Sequence, residues 1–521
     1  MDVRGYVEAN ARDFFESLKE WLAIPSISAD PSRSADVRRS AEWLAGHLRE
    51  TGFPVTEIWE TGGGAGGVGP SGPGPGGSGA IGGPGGIPPG EHSPRDGTVT
   101  EGTVSPQAGA VPGLPAVFAH WPAADPGAPT VLVYGHHDVQ PVEPLDEWHS
   151  PPFEPAERDG QLLARGASDD KGQVLFHALG VRACLAARGG SSGGRSAPPV
   201  TLKLLIEGEE ESGSPNFADL LRRERDRLAA DVIVISDTTM WAADLPSMCT
   251  GMRGMIDGQI DMTGADRDLH SGSFGGAVPN PLHAMAALLA GLHDSRGRVT
   301  LPGFYDKVIE LSEAERELFS RLPFDEKEWL ATAGNSRAAS GESGHTTLER
   351  VWARPTAEVN GMWGGHTGPG HKTIIPGDAH AKVSFRLVAH QEPADVAAAF
   401  HEYVAAHTPP GIEATVTMFG PGVRPSFSPI DSPAVRAARR AMERAFGREV
   451  LFTREGGSGP EADLADILRA PLVFVAVGLD EDRIHAPNEK AEMALLLKGA
   501  EAAAYMWDEF AAAAGELAGQ G

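Results

Sequence analysis

The chain has 521 residues, more than one hydrophobic core usually supports, so at least two domains are expected. Its 44 basic against 71 acidic side chains leave a net charge of −27, which argues against nucleic acid and anionic membrane surfaces as partners. The two cysteines, Cys184 and Cys249, are too few for a disulfide framework, and no signal-peptide core or membrane-length apolar run is seen, so a soluble cytoplasmic protein is expected.

In chain order, the first feature is a stretch from Gly62 to Gly90 made almost wholly of Gly, Pro, Ser and Ala without a charged residue. Such a composition buries too little apolar surface to offset its ordering entropy, so a flexible insert is expected, its low-complexity character reaching about Gly113. "RGGSSGGRSAPP", Arg188 to Pro199, is a smaller insert of the same kind. Around these inserts the apolar runs "TVLVYG", "TLKLLIEG", "DVIVISD" and, far downstream, "PLVFVAVG" read as buried strands alternating with helices. That alternation predicts an α/β domain with a mostly parallel sheet.

"KGQVLFHALGVRACLAARGG" predicts a helix with Val174, Ala178, Val181 and Leu185 on one face. The middle of the chain changes period: "GMIDGQIDMTG", "HAKVSFRLV" and "IEATVTMFG" alternate apolar and polar residues, which suits an antiparallel sheet covered on one face. Helices over "NPLHAMAALLAGLHD" and "EPADVAAAFHEYVAAH" are expected to cover it. "DSPAVRAARRAMERAFG" then predicts a helix capped by Asp431 or Ser432, with Pro433 in its first turn and Gly447 at its end.

The chemistry gathers at the ends of the predicted strands, where open α/β sheets collect their ligands. "YGHHDVQP" places His136 and Asp138 there, "ISD" places Asp237, "EGEEES" places Glu207, Glu209, Glu210 and Glu211, and "VGLDEDRIHAPNEK" brings His485. "ARGASDDKG" adds Asp169 and Asp170 before a helix, where by themselves they would more often be an N-cap. Two imidazoles with several carboxylates form the ligand set of a Zn²⁺-type site, and cations among the glutamates would cancel the repulsion within "EGEEES".

"GHHDVQP", "ARGASDDKG", "EGEEESGS", "ISD", "DLHSGSFGG", "REGGS" and "IHAPNEK" occur in the order found in the M20 metallopeptidases, and the chain resembles their dipeptidase branch, the carnosinases and cytosolic nonspecific dipeptidases. The resemblance runs from about Phe14 to the last helix, apart from the two inserts. It implies His136 and Asp237 as ligands of one metal, Glu211 and His485 as ligands of a second, and Asp169 bridging both. Asp138 would orient an imidazole, His137 would not ligate, and Glu210 would be the general base. His270 would stabilise the oxyanion in the neighbouring subunit's site, and Arg386, Gly457 and Ser458 would bind substrate, the arginine through the terminal carboxylate. Glu207 and Glu209 receive no role and are expected to be solvated or to stand behind the ligands.

The fold so implied is α/β: a mostly parallel-sheet metallopeptidase catalytic domain, 1–249 with the insert at 61–113 and again 424–521, interrupted over 250–423 by a smaller ferredoxin-like α/β lid and dimerisation domain with an antiparallel sheet. The implied activity is cleavage of unblocked dipeptides by a homodimer carrying two divalent ions per subunit, Zn²⁺ first and Mn²⁺ second, through a metal-bound hydroxide. The alternatives are an N-acyl amino acid deacylase of the acetylornithine or succinyl-diaminopimelate type and an inactive scaffold of the same fold. One departure from the family stands at "REGGSGPEAD", where Gly459 replaces an apolar residue and Glu461 and Asp463 add acids that would favour a basic amino end of the substrate.

Overall fold

The computed structural model describes residues 1–62, 100–101, 113–189, 197–334 and 337–518. Most of the insert expected over 61–113, and the glycine-rich part of that at Arg188–Pro199, lie outside them.

Six strands form the larger sheet, in the order Val55–Trp59, Ala116–Trp121, Thr201–Glu207, Thr130–His136, Val232–Ile235, Leu472–Phe474. The last four run parallel, and Ala116–Trp121 runs against its neighbours on both sides. Continuous apolar runs suit strands covered on both faces. Successive residues therefore enter different cores: Val131 and Val133 pack under helices Val3–Leu22, Lys171–Ala187, Pro433–Phe446 and Met493–Ala512, while Leu132 and Tyr134 pack with Phe217 and Leu464 on the other face.

Helix Lys171–Ala187 buries more than the expected stripe, because Gln173, Phe176 and His177 are buried as well as Val174, Ala178 and Val181. It lies between the sheet and helices Val3–Leu22 and Met493–Ala512, which leaves water only its C-terminal part, where Arg182 is exposed and Leu185, expected on the buried face, is half-buried. The approach is close: a Cβ on Gly180 would stand 2.7 Å from that of Ala503. Helix Pro433–Phe446 starts at Ser432, whose hydroxyl accepts from Val435 N, and ends at Gly447 with φ of 67°, a left-handed conformation that suits glycine.

The second sheet has the order Thr356–Trp363, Asp378–Leu387, Gly254–Thr263, Glu413–Met418, Thr100–Glu101, antiparallel except for its last pair. Period two places Ala379, Ala381, Val383, Phe385 and Leu387 on the buried face, against Phe400, Val404 and Met285 from helices Pro393–His407 and Pro281–Ala290. Two helices that strand alternation does not announce, Glu313–Ser320 and Thr347–Ala353, each open with a capping box.

A three-stranded sheet joins the two units. Ser247–Met252 leads into the second unit and Ser426–Phe427 leads back, and Ser247–Met252 also pairs in parallel with Leu451–Glu455. The stretch "EGGS" thus begins at the seam between the sheets. Cys184 and Cys249 are both free and buried. Among the described residues no helix is long and apolar enough to cross a membrane.

Candidate active site

The parallel strands deliver His136, Glu207 and Asp237 to one edge of the larger sheet, the first two as strand-end residues and Asp237 two residues past Ile235. Asp169 arrives from the turn before helix Lys171–Ala187, and His485 from the loop after Gly478–Leu479. His485 adopts a left-handed backbone, φ 60°, a conformation a non-glycine residue holds only against strain.

These side chains form two triads that share one carboxylate. His136, Asp169 and Asp237 make the first and Asp169, Glu211 and His485 the second, with ligand atoms in each within 4.8 Å of one another. His136 Nε2 lies 2.9 Å from Asp169 Oδ1 and 3.6 Å from Asp237 Oδ2. His485 Nε2 lies 2.9 Å from Asp169 Oδ2 and 3.2 Å from Glu211 Oε2. The two oxygens of Asp169 thus face different imidazoles. His485 is the open side of the site, its side chain 56% exposed, whereas His136 is fully buried.

Burial would ordinarily push carboxylates toward their neutral form, yet Asp169 is held below the usual carboxylate range by hydrogen bonds from both imidazoles. The imidazoles respond in the opposite sense. Hydrogen bonds to Asp169 and Glu211 push His485 up to about 10, and His136 is raised by the carboxylates of Asp237, Asp138 and Asp169 against its own desolvation. Imidazole nitrogens with carboxylate oxygens, one carboxylate facing both ways, fit two divalent ions such as Zn²⁺.

The neighbours of the triads are set as follows. His136 Nδ1 meets the backbone carbonyl of Asp138 at 3.0 Å and its Oδ1 at 3.5 Å, so the carbonyl is the nearer group orienting the ring. Asp138 Oδ2 accepts from Glu211 N at 3.0 Å. His137 belongs to neither triad; its Nε2 meets the Pro115 carbonyl at 2.8 Å, and burial pulls it down to about 4. Asp170 accepts from His136 N at 3.2 Å and makes no side-chain cap for the helix it precedes.

The four glutamates of the acidic run have four surroundings. Of the two expectations for Glu207 and Glu209, solvation is excluded, since each is only 1% exposed, which leaves a place behind the ligands. Glu207 accepts from the Tyr134 hydroxyl at 2.6 Å, and burial pushes it up to about 8. Glu209 accepts from Thr61 Oγ1 at 2.7 Å, Leu114 N at 2.6 Å and Asn216 Nδ2 at 3.1 Å, fastening both flanks of the insert. Glu210 begins a short 3₁₀ turn beside the triads, and burial raises its pKa. Glu211 enters the second triad.

Two further carboxylates escaped the sequence reading. Glu489, fully buried, accepts from Arg165 Nη1 at 2.8 Å, Gly166 N at 2.9 Å, Ser168 N at 3.0 Å and Asp169 N at 3.1 Å. It ties the loop of His485 to the loop of Asp169. Glu455 accepts from Thr239 N at 2.9 Å, joining the seam to the strand end that carries Asp237. "IHAPNEK" and "REGGS" contain both residues, but their partners lie hundreds of positions away, so no local spacing marks them.

The remaining predicted residues come from the second unit and the seam. Arg386 Nη1 donates to Ser458 Oγ at 3.0 Å, and Gly457 is exposed beside it. His270 is exposed and belongs to neither triad of its own chain. Its Nδ1 accepts from Gly272 N at 3.0 Å, which puts the ring proton on Nε2. The acids after Gly459 do not form the expected anionic subsite: Asp463 pairs with Arg424 at 3.1 Å, and Glu461 is buried and pushed up to about 8 by desolvation.

An α/β chain carrying two carboxylate-bridged imidazole triads at its strand ends has the build of a two-metal hydrolase. The chain belongs to Peptidase family M20/M25/M40, whose model matches residues 132–509. It is 30% identical to the Beta-Ala-His dipeptidase of Homo sapiens over 93% of this chain and 87% of that one. It is 27% identical to the Cys-Gly metallodipeptidase DUG1 of Saccharomyces cerevisiae, over 95% and 94%. The crystal structure of human carnosine dipeptidase 1 superposes with a TM-score of 0.69 at 29% identity, covering 98% of each chain.

Two outcomes follow from this geometry. Because His136 and His485 have raised pKa values, protons must leave before an ion enters, so metal affinity falls as pH is lowered across the neutral range. Calorimetry of Zn²⁺ binding in buffers of different ionisation enthalpy reads the released protons, and pH-independent binding without release would contradict the site. Glu489→Gln places an amide against backbone N–H donors and weakens metal binding about 10–100-fold. Competition with a chromogenic chelator measures the loss, and unchanged affinity would remove Glu489 from the site's support.

Proposed function

We propose that the chain is a metal-dependent dipeptidase that hydrolyses unblocked dipeptides. The carrying observation is Asp169, whose oxygens lie 2.9 Å from His136 Nε2 and 2.9 Å from His485 Nε2, with Glu210 adjacent to the second triad. The dipeptidase relatives support the substrate class and do not favour the N-acyl amino acid deacylase reading.

In this reading His136 and Asp237 would hold one ion, Glu211 and His485 would hold the other, and Asp169, which faces both imidazoles, would serve both. When bound, the ions supply Lewis acidity to the scissile carbonyl and acidify water. Glu210 takes the proton of the attacking water and returns it to the leaving amine. Asp138 and Glu489 keep the ligands in place. Arg386, oriented by Ser458, receives the terminal carboxylate beside Gly457.

Residues 1–249 and 424–521 form the catalytic domain, and 250–423 a ferredoxin-like lid that also dimerises. His270 supports the dimer: it is exposed, far in sequence from the ligands, and carries its proton on Nε2, the state that donates to an oxyanion across a subunit boundary. Zn²⁺ is the proposed ion and Mn²⁺ the substitute, from the mixed nitrogen and oxygen donors. The compartment is the cytoplasm, in keeping with two free thiols.

Enzyme stripped by chelator regains cleavage of free dipeptides on addition of Zn²⁺ or Mn²⁺, and leaves N-acetyl amino acids intact, as read by ninhydrin. Cleavage confined to the acylated compounds would refute the reading. Glu210→Gln lowers kcat about 10²–10⁴-fold while still binding two ions per chain. Chains bearing His270→Ala and Glu210→Ala, each inactive alone, regain activity when subunits exchange. Silent mixed dimers would end the shared-site proposal.

A further inference from the structure

Arg253 sits at the seam, between strands Ser247–Met252 and Gly254–Thr263. Arg386 is opposite Met255, two residues beyond Arg253, in the neighbouring strand. Neither guanidinium has an ion-pair partner among the described residues, and the buried Nε of Arg253 has no hydrogen-bond acceptor. Burial, and then the charge of Arg386, pull Arg253 down to about 10, opposed only by Glu358. Both arginines line one cavity of about 490 Å³. Arg354 in its wall is already neutralised by Glu342 and Glu310.

Two guanidiniums on one cavity are unusual in a chain of net charge −27; Glu358 in the same wall offsets part of the charge on Arg253 without forming an ion pair, and a bound anion would relieve the rest. The seam loop connects them to the strand end that carries Asp237. Glu455 binds Thr239, two residues beyond Asp237; a Cβ on Gly456 would stand 2.9 Å from Arg253 Nη2; Ser458 binds Arg386. At roughly 3.3 Å per residue, Glu455 to Ser458 spans at most about 10 Å, so the arginines lie within a short loop of the residue that holds Thr239. One guanidinium fork satisfies one carboxylate, so a pair suits a group carrying two.

We infer that Arg253 is a specificity residue which, with Arg386, seats an acidic carboxyl-terminal residue, one guanidinium taking the α-carboxylate and the other the side-chain carboxylate. The preferred substrates are then dipeptides ending in Asp or Glu, an assignment that rests on the dipeptidase reading above.

The test compares Ala-Glu with its near-isosteric neutral counterpart Ala-Gln, using the metal-loaded enzyme. The unaltered enzyme favours Ala-Glu by about tenfold or more in kcat/KM, mainly through KM, the order expected of one charge-assisted hydrogen bond. Arg253→Gln brings that ratio close to one, and Arg253→Lys retains part of it. Equal cleavage of both peptides by the unaltered enzyme, or a ratio that survives Arg253→Gln, overturns the inference and leaves the dipeptidase reading intact. Calorimetry of L-glutamate against L-glutamine on the unaltered protein is the second measurement. If neither peptide is cleaved by enzyme carrying both ions, the dipeptidase reading fails, and calorimetry decides the anion seat: tighter L-glutamate binding supports it, and no difference overturns it. The same calorimetry decides if Arg253→Gln fails to fold.

Discussion

The carboxylate of Asp169, shared by two imidazoles at 2.9 Å each, is the contact on which the rest of the site depends. A buried anion is costly unless cations and donors surround it, and here each oxygen faces an imidazole while the backbone N–H behind it is taken by Glu489. Glu489 is in turn neutralised by Arg165, so the charges alternate inward through the loop of Asp169. The four parallel strands matter because their common direction brings His136 and Asp237 to the same edge. A reversal of Thr130–His136 or Val232–Ile235 would carry its side chain to the opposite end of the sheet.

The acidic run shows how four identical side chains come to differ. Glu207 still belongs to the strand and meets Tyr134; past Gly208 the chain turns, and Glu209 faces the flanks of the insert. In the 3₁₀ turn that follows, Glu210 and Glu211 approach the triads. Their repulsion is relieved in different ways: by a phenol, by backbone and amide donors, and by imidazoles. A tightly bonded Glu209 also explains how a long insert can leave the active-site strand undisturbed, since Thr61 and Leu114 are both held against the same carboxylate.

Much of the fold was legible because the relevant signals are local. Continuous apolar runs marked the strands covered on both faces, period two marked the half-covered antiparallel strands, and Ser432, Pro433 and Gly447 marked a helix from end to end. The members of both triads were legible through the motifs the chain shares with the M20 metallopeptidases; their position near strand ends and before a helix offered them only as candidates. Arg165 with Glu489, Thr239 with Glu455 and Arg253 with Arg386 were not, because each pair is assembled by contact between segments far apart in the chain.

The sequence by itself determined which residue types are available, their periodicity and their place at element ends, because those depend on neighbours a few positions away. Tertiary structure alone decided their state: that Glu207 and Glu209 are buried, that Asp463 is turned to Arg424, and that Arg253 and Arg386 share one cavity at the seam. Burial and electrostatics are properties of the surroundings, and the surroundings of a folded side chain come mostly from residues distant in sequence.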